Sequence, residues 1–254
     1  MKKLKVLLLG ESYSATHTFV RGRNYVTLPQ YGHFGTEIVA MLEREGFDVT
    51  LILTHDIPEK CPMQREAFAA YDVVILSDVG SDTMLTQPGN EDGTRNPNRL
   101  RELVHYVENG GGLMMVGGYF GFSGIGNQAR YNMTPLAEVL PVHILNYDDR
   151  VECPEGVKPV VNRDCDTKIF EGIQIQDCPA FGGYNKTVIK EGAELFATFY
   201  GDPFLAGMKY GKGRSFAFTS DCAPDWAPLS VLAWEGYSKM LANVIRWTAG
   251  DRME

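Results

Sequence analysis

Three runs of this chain, residues 3–9, 71–77 and 113–116, are almost wholly apolar and too short for anything but buried strands. A strand that is apolar on both sides must be covered on both sides, as happens in parallel sheets flanked by helices and not in half-solvated antiparallel ones. Helical patterns lie between the runs. Ile38, Met41 and Leu42 share one face before Gly46, and Leu100, Leu103, Val104 and Val107 share another before Asn109 and three glycines. Residues 48–53 alternate into a further β-branched strand. The alternation predicts an α/β fold in which four strands run parallel, with helices on both faces and any ligand beyond the strands' carboxyl ends. Those ends are Gly10-Glu11, His55-Asp56, Asp78 and Gly118-Tyr119.

The rest is less regular. Residues 11–33 are expected to form a long polar and aromatic loop, and residues 135–139 a short helix. The Pro- and Asp-rich segment 141–183 is read as an insertion or sheet extension. Three late strands follow at 193–199, 204–210 and 214–219, the last two joined by the tight turn Tyr210-Gly211-Lys212-Gly213. A final amphipathic helix carries Tyr237, Met240, Leu241, Val244 and Trp247. At 254 residues the chain is expected to be a single domain over 1–254.

A net charge of -8, with no clustered Lys/Arg stripe, argues against nucleic acid as a partner. No apolar run approaches the roughly 20 residues that span a bilayer, so no membrane partner and a cytoplasmic location are expected. Five cysteines without a CxxC pair read as reduced thiols, and five scattered histidines spell no preformed metal site. The glycines do not follow the GxGxxG order after the first strand, so no nucleotide or other cofactor is expected.

The most informative stretch is residues 112–124, a buried strand running into a glycine-tight turn. In a strand-turn-helix elbow, glycines around one residue let its side chain stand over the sheet edge. Here that residue is Tyr119, between Gly118 and Phe120-Gly121. Tyr119 could donate a proton or plug a vacant nucleophile pocket. Asp221, after a late strand, could be a general base, a metal ligand or a turn cap. Glu11 and Asp78 end strands one and three and could face the same crevice, where acids suit polyol hydroxyls or a cation; equally, they could cap helices or pair with Arg21, Arg23 or Arg130. Further candidates for ligand contact are Tyr13 and His17 in the first loop, Gly118, Phe120 and Ser123 around the elbow, and Asp225 and Trp226 after Asp221. Cys222 is a weaker candidate, as a relocated nucleophile.

The element order, the strand-Gly-Gly-Tyr-x-Gly elbow and the late Tyr-Gly-Lys-Gly-Arg strand leading to Thr219-Ser220-Asp221 resemble the class I glutamine amidotransferase-like superfamily. More narrowly, Leu-Gly-Glu-Ser at 9–12, Gly-Gly-Tyr-Phe at 117–120 and Thr-Ser-Asp-Cys-Ala-Pro-Asp-Trp-Ala-Pro at 219–228 are similar to bacterial cytoplasmic amidotransferase-like proteins related to the trehalose-utilisation type. The resemblance implies a flavodoxin-like parallel sheet extended by additional late strands. Active glutaminases of that superfamily place a cysteine at the elbow and a His-x-Glu pair after a late strand. This chain has Tyr119 at the first position and, after the late strand, Asp221 and Asp225 but no histidine. A phenol with a pKa near 10 is a poor substitute for a thiolate, so glutaminase activity is not expected. The leading expectation is binding of a small polar metabolite, a carbohydrate being one candidate, at Glu11, Asp78, Tyr119 and Asp221. Two alternatives stand beside it: a hydrolase or isomerase pairing Tyr119 with an acid, and a homo-oligomeric structural protein with a vestigial crevice.

Overall fold

A computed structural model describes residues 3–250. Its strands are β1 (Lys5–Gly10), β2 (Ser12–Arg21), β3 (Asn24–His33), β4 (Asp48–Leu53), β5 (Val73–Ser77), β6 (Gly112–Val116), β7 (Val142–Ile144), β8 (Arg150–Val157), β9 (Val160–Val161), β10 (Phe181–Asn185), β11 (Thr187–Ile189), β12 (Glu194–Phe199), β13 (Asp202–Tyr210) and β14 (Gly213–Phe218). Eight of them form the main sheet in the order β4-β1-β5-β6-β14-β13-β12-β9. The first five are parallel and the last three antiparallel. Numbered as parallel strands, the first five run 2-1-3-4-5, the flavodoxin-like order, whose chain reversal lies between β1 and β5.

The apolar runs behave as their composition requires. Val6 and Leu8 pack into one core, on the side of the helices Gly35–Arg44 and Glu235–Ala249, while Leu7 and Leu9 pack into the other, beneath the helix Arg99–Glu108. Each of these four side chains is at most 1% exposed, a burial that favours folding by roughly 1.5–3 kcal/mol per residue. The fifth parallel strand, β14, enters beside β6 from a hairpin almost a hundred residues later. Its tight turn is the expected one, with Gly211 at a φ of +58°. Segment 141–183 contributes β9 to the sheet edge, and β8 pairs with β10 as a separate ribbon.

One expectation is corrected. Residues 11–33 are not a loop: β2 and β3 pair antiparallel from Ser12 with His33 out to Arg21 with Asn24, around Gly22 at a φ of +61°. The Thr-, Val- and Tyr-rich sequence favours strands. Residues 16–31 are all exposed, so the ribbon projects as an arm. It is tied to the body at its base, where the Ser12 amide donates to Thr54 Oγ1 at 3.2 Å and the Phe34 amide to the Glu11 carbonyl at 3.0 Å. No described helix is long and apolar enough to cross a membrane.

Candidate functional site

Strands β1 and β5 end side by side at the topological reversal. Gly10 (φ +122°) lies so close to the Ser77 carbonyl that a Cβ there would collide with it. The chain then turns through Glu11 (φ +60°), and beside it Ser77 is followed by Asp78 (φ +45°). Two acidic residues in the left-handed region at adjoining strand ends are unusual, and such strain collects where a site is being shaped.

The elbow after β6 abuts these ends. The Gly117 amide donates to the carbonyls of Phe218 and Ser220 at 2.8 and 3.0 Å, which locks the elbow to the end of β14. Gly118 has a φ of +132°, and a Cβ there would meet Asp78 Oδ1 at 2.7 Å. Glycine is therefore required by both conformation and space. Asp78 Oδ1 accepts the Phe120 amide proton at 2.6 Å.

Behind the elbow lies a buried network. Asn185 Oδ1 accepts from the Gly118 amide at 2.9 Å, and Asn185 Nδ2 donates to Asp149 Oδ1 at 2.8 Å. Asp149 also accepts the amides of Ser123 and Gly124, each at 2.9 Å. Ser123 is thus buried, and its hydroxyl donates to the Leu145 carbonyl; its role is to hold the turn. Tyr119 stands outward, 36% exposed, with the Trp226 ring edge-on at 5.8 Å and the Arg150 guanidinium 5.1 Å from its ring centre. Trp226 is itself buried, and its indole donates to Glu152 at 3.1 Å, so it backs Tyr119 and does not present a free wall. Phe120 and Asp225 are exposed.

Glu11 and Asp221 do converge, but beneath the surface, at 6% and 3% exposure. Ser77 Oγ donates to Glu11 Oε1 at 2.5 Å and lies 3.1 Å from Cys222 Sγ, which in turn is 3.4 Å from Glu11 Oε1. None of the ion pairs among the described residues involves Glu11, Asp78, Asp221 or Asp225; Arg130 pairs with Asp82 instead. Tyr13 and His17 lie on the arm. Tyr13 lines a cavity of about 420 Å³ at its base with Tyr31, His55 and Asp82, while His17 hydrogen-bonds across to Gln30 at 3.1 Å. Five positions separate His17 from the arm's first residue, roughly 17 Å of strand, so it stands away from the elbow.

The family model described as "Putative glutamine amidotransferase" matches residues 5–250. The chain is a member of that family. Two cytoplasmic proteins of Salmonella typhimurium share its fold, one 35% identical with a TM-score of 0.91 and the other, from strain LT2, 36% identical with a TM-score of 0.92; each match covers 96% of this chain and 99% of the other. A ThuA-like protein from Parabacteroides merdae matches 98% of this chain and 91% of its own at 15% identity and a TM-score of 0.49, too distant to carry an argument. No curated protein matches the chain.

In this amidotransferase-like chain the electrostatics follow from the lack of a cation partner among the described residues. Burial, reinforced by Asp78 and Asp225, pushes Glu11 up to about 7 against the hydrogen bonds from Ser77 and Cys222. Burial also raises Asp78 to about 6, opposed by the Phe120 amide and reinforced by Asp225. Asp221 is held well above the carboxylate range by burial and by Glu11. Burial, then Glu152 and Asp225, raises Tyr119, with Arg150 opposing. Its phenol is accordingly a donor at neutral pH and not a nucleophile. Cys222, raised by burial and the neighbouring acids, is a thiol in the metal-free protein and not an attacking thiolate.

Sequence reasoning missed Ser77, Asp149, Arg150, Asn185 and Tyr237. Only Asp149-Arg150, in the Asp-rich segment, left any trace; a lone Asn or Ser carries no spacing signal.

Proposed function

We propose that this protein binds a small, hydroxyl-rich polar metabolite over the elbow and does not hydrolyse glutamine. One observation carries the reading: Asp78 accepts the Phe120 amide proton at 2.6 Å. In elbow enzymes the amide of the residue after the nucleophile stabilises the oxyanion. Here that amide is occupied by a carboxylate, and the nucleophile position holds a phenol. What the crevice offers is an aromatic face at Tyr119 and Phe120, the Arg150 guanidinium, and the carboxylates of Asp78 and Asp225, beyond the carboxyl ends of the strands at the reversal point. Aromatic faces with carboxylate acceptors suit a polyol or sugar. The closely similar Salmonella proteins are named cytoplasmic, which supports a cytoplasmic location for this one.

A thermal-shift panel of sugars, sugar acids, polyols and glutamine, run in chelator, tests the reading. One polyol-class compound is expected to raise the melting temperature by a few degrees. Tyr119→Phe and Asp225→Asn, both at exposed side chains, are expected to melt within about 0.5 kcal/mol of the parent and to lose most of that shift. Release of ammonia from glutamine by the purified chain would overturn the proposal, as would a ligand shift unchanged in both variants.

The arm favours a second reading, self-assembly. Phe19, Val20, Tyr25, Val26 and Leu28 are 49–77% exposed on it, and a lone two-stranded ribbon is marginally stable in water. Residues 12–33 carry +2 and no acid in a chain of -8, so the remainder carries -10, and a second copy offers the arm a complementary charge. Sedimentation is expected to give more than one chain per particle. Replacing residues 15–30 by a short turn should give a monomer whose core stability changes by less than about 1 kcal/mol, because the excised residues bury almost nothing against the body. A monomeric full-length protein would sink this reading.

A further inference from the structure

Beneath the crevice, Glu11, Asp221 and Cys222 bring one ligand atom each to within 4.8 Å of one another, all three residues buried. They come from two strand ends, β1 and β14, that the sheet order leaves apart: β5 and β6 lie between them. Acids gathered in a low-dielectric interior without a lysine or arginine partner are costly to ionise. They must hold protons or a cation.

A separate feature points the same way. Tyr237, near the start of the helix Glu235–Ala249, is wholly buried, and its hydroxyl has no hydrogen-bond partner among the described residues. A buried hydroxyl left unpaired costs the free energy of the water it gave up. Burial acts on this hydroxyl most, and the titratable groups that act on it next are Cys222, Asp221 and Glu11. The orphan phenol thus neighbours the same three residues and shares the buried core of Cys222.

We propose that Glu11, Asp221 and Cys222 form a binding site for a divalent transition metal of the zinc class, with the Tyr237 hydroxyl bonded to the metal's remaining water. The donor set decides the class. One thiolate with two carboxylates suits zinc and disfavours magnesium and calcium, which take oxygen ligands alone. The spacing fits as well. Tetrahedral zinc, with Zn–S near 2.3 Å and Zn–O near 2.0–2.2 Å, holds its sulfur and oxygen ligands about 3.6 Å apart; Cys222 Sγ and Glu11 Oε1 are 3.4 Å apart. One Asp221 oxygen is already oriented by the Ala223 amide at 2.8 Å, and Ser77 Oγ supports Glu11 at 2.5 Å, the outer-shell contacts that fix ligand geometry. On binding, the metal displaces the Cys222 thiol proton and the protons held by the carboxyl groups, which pass to solvent. Ala223, Pro224 and Asp225, partly or fully exposed in the loop after Asp221, offer the path of entry. The site is independent of what occupies the elbow above it.

The test is a cobalt titration of the full chain after chelator treatment and dialysis. One equivalent of Co²⁺ is expected to produce a thiolate-to-cobalt charge-transfer band, which one equivalent of Zn²⁺ then abolishes. Cys222→Ser should lose the band, whereas Cys61→Ser, in the core on the opposite face of the sheet, should keep it. Glu11→Gln should weaken binding at least tenfold, and Tyr237→Phe by tenfold or more, in the range of outer-shell partners. Circular dichroism of each variant separates lost binding from lost fold. Absence of a band in the folded parent overturns the proposal, because the acids then share protons alone; so does a band that survives in Cys222→Ser. Because the polyol shift is read in chelator, a missing cobalt band overturns this proposal and leaves the elbow reading standing.

Discussion

Asn185→Ala is expected to cost about 3 kcal/mol of folding stability, in the range of buried polar truncations that orphan their partners. The side chain is fully buried and serves three groups: Oδ1 accepts the Gly118 amide at 2.9 Å, and Nδ2 donates to Asp149 Oδ1 at 2.8 Å and to the Gly118 carbonyl at 3.2 Å. Truncation leaves Gly118 without its acceptor and takes a donor from Asp149, whose carboxyl burial already pushes upward. In a chain of this size the loss corresponds to roughly 6–12 °C in melting temperature. Asn185→Asp sharpens the test, because it sets a second acid beside Asp149. That variant is expected to be the less stable of the two at pH 8 and to recover relative to Asn185→Ala toward pH 5. Equilibrium denaturation reads both. A cost below about 1 kcal/mol for Asn185→Ala would mean that the elbow is held by its main chain alone.

The second large effect concerns pH in the metal-free protein kept in chelator. Glu11 moves from 4.5 in the unfolded chain to about 7 in the fold, and Asp78 from 3.8 to about 6, each chiefly through burial. A folded pKa above the unfolded one means that the native state binds protons the unfolded state has released. The associated stability is complete below the unfolded value and is lost as pH rises through the folded one. Metal-free protein is therefore expected to lose stability between about pH 4 and pH 7, by about 3 kcal/mol for Glu11 alone at 1.36 kcal/mol per pKa unit. Glu11→Gln, neutral throughout, should flatten much of that slope and be more stable than the parent at pH 8 by about 2 kcal/mol. Denaturant midpoints at pH 5, 6.5 and 8 decide. A parent whose stability rises across that range would show Glu11 to be a compensated carboxylate.

Much of the fold was legible because its determinants are local. An all-apolar run of five or six residues specifies a doubly covered strand, and Ile38, Met41 and Leu42 at helical spacing specify the helix found at Gly35–Arg44. The elbow could be placed from its glycines, since only glycine tolerates the φ of +132° at Gly118 beside Asp78. The arm was misread as a loop because its Thr, Tyr and Ser positions bury neither face, so the alternation that marks a strand packed against a core is missing from residues 12–33.

The sequence by itself determined which side chains end the strands. Glu11, Asp78 and Tyr119 follow apolar runs whose termini can be read off the page, because a strand's period and its breaking glycines act over only a few residues. Tertiary structure alone decided which of them meet, and at what depth. Cys222 reaches Glu11 across 211 residues, and Asn185 reaches Gly118 across 67, because the sheet order sets β14 beside β6 and β1 beside β5. That order also separated the two acids sunk among Ser77, Cys222 and Tyr237 from the phenol left at the surface. Burial, and the lack of a partner cation among the described residues, are properties of the assembled layers, and no spacing in the chain encodes them.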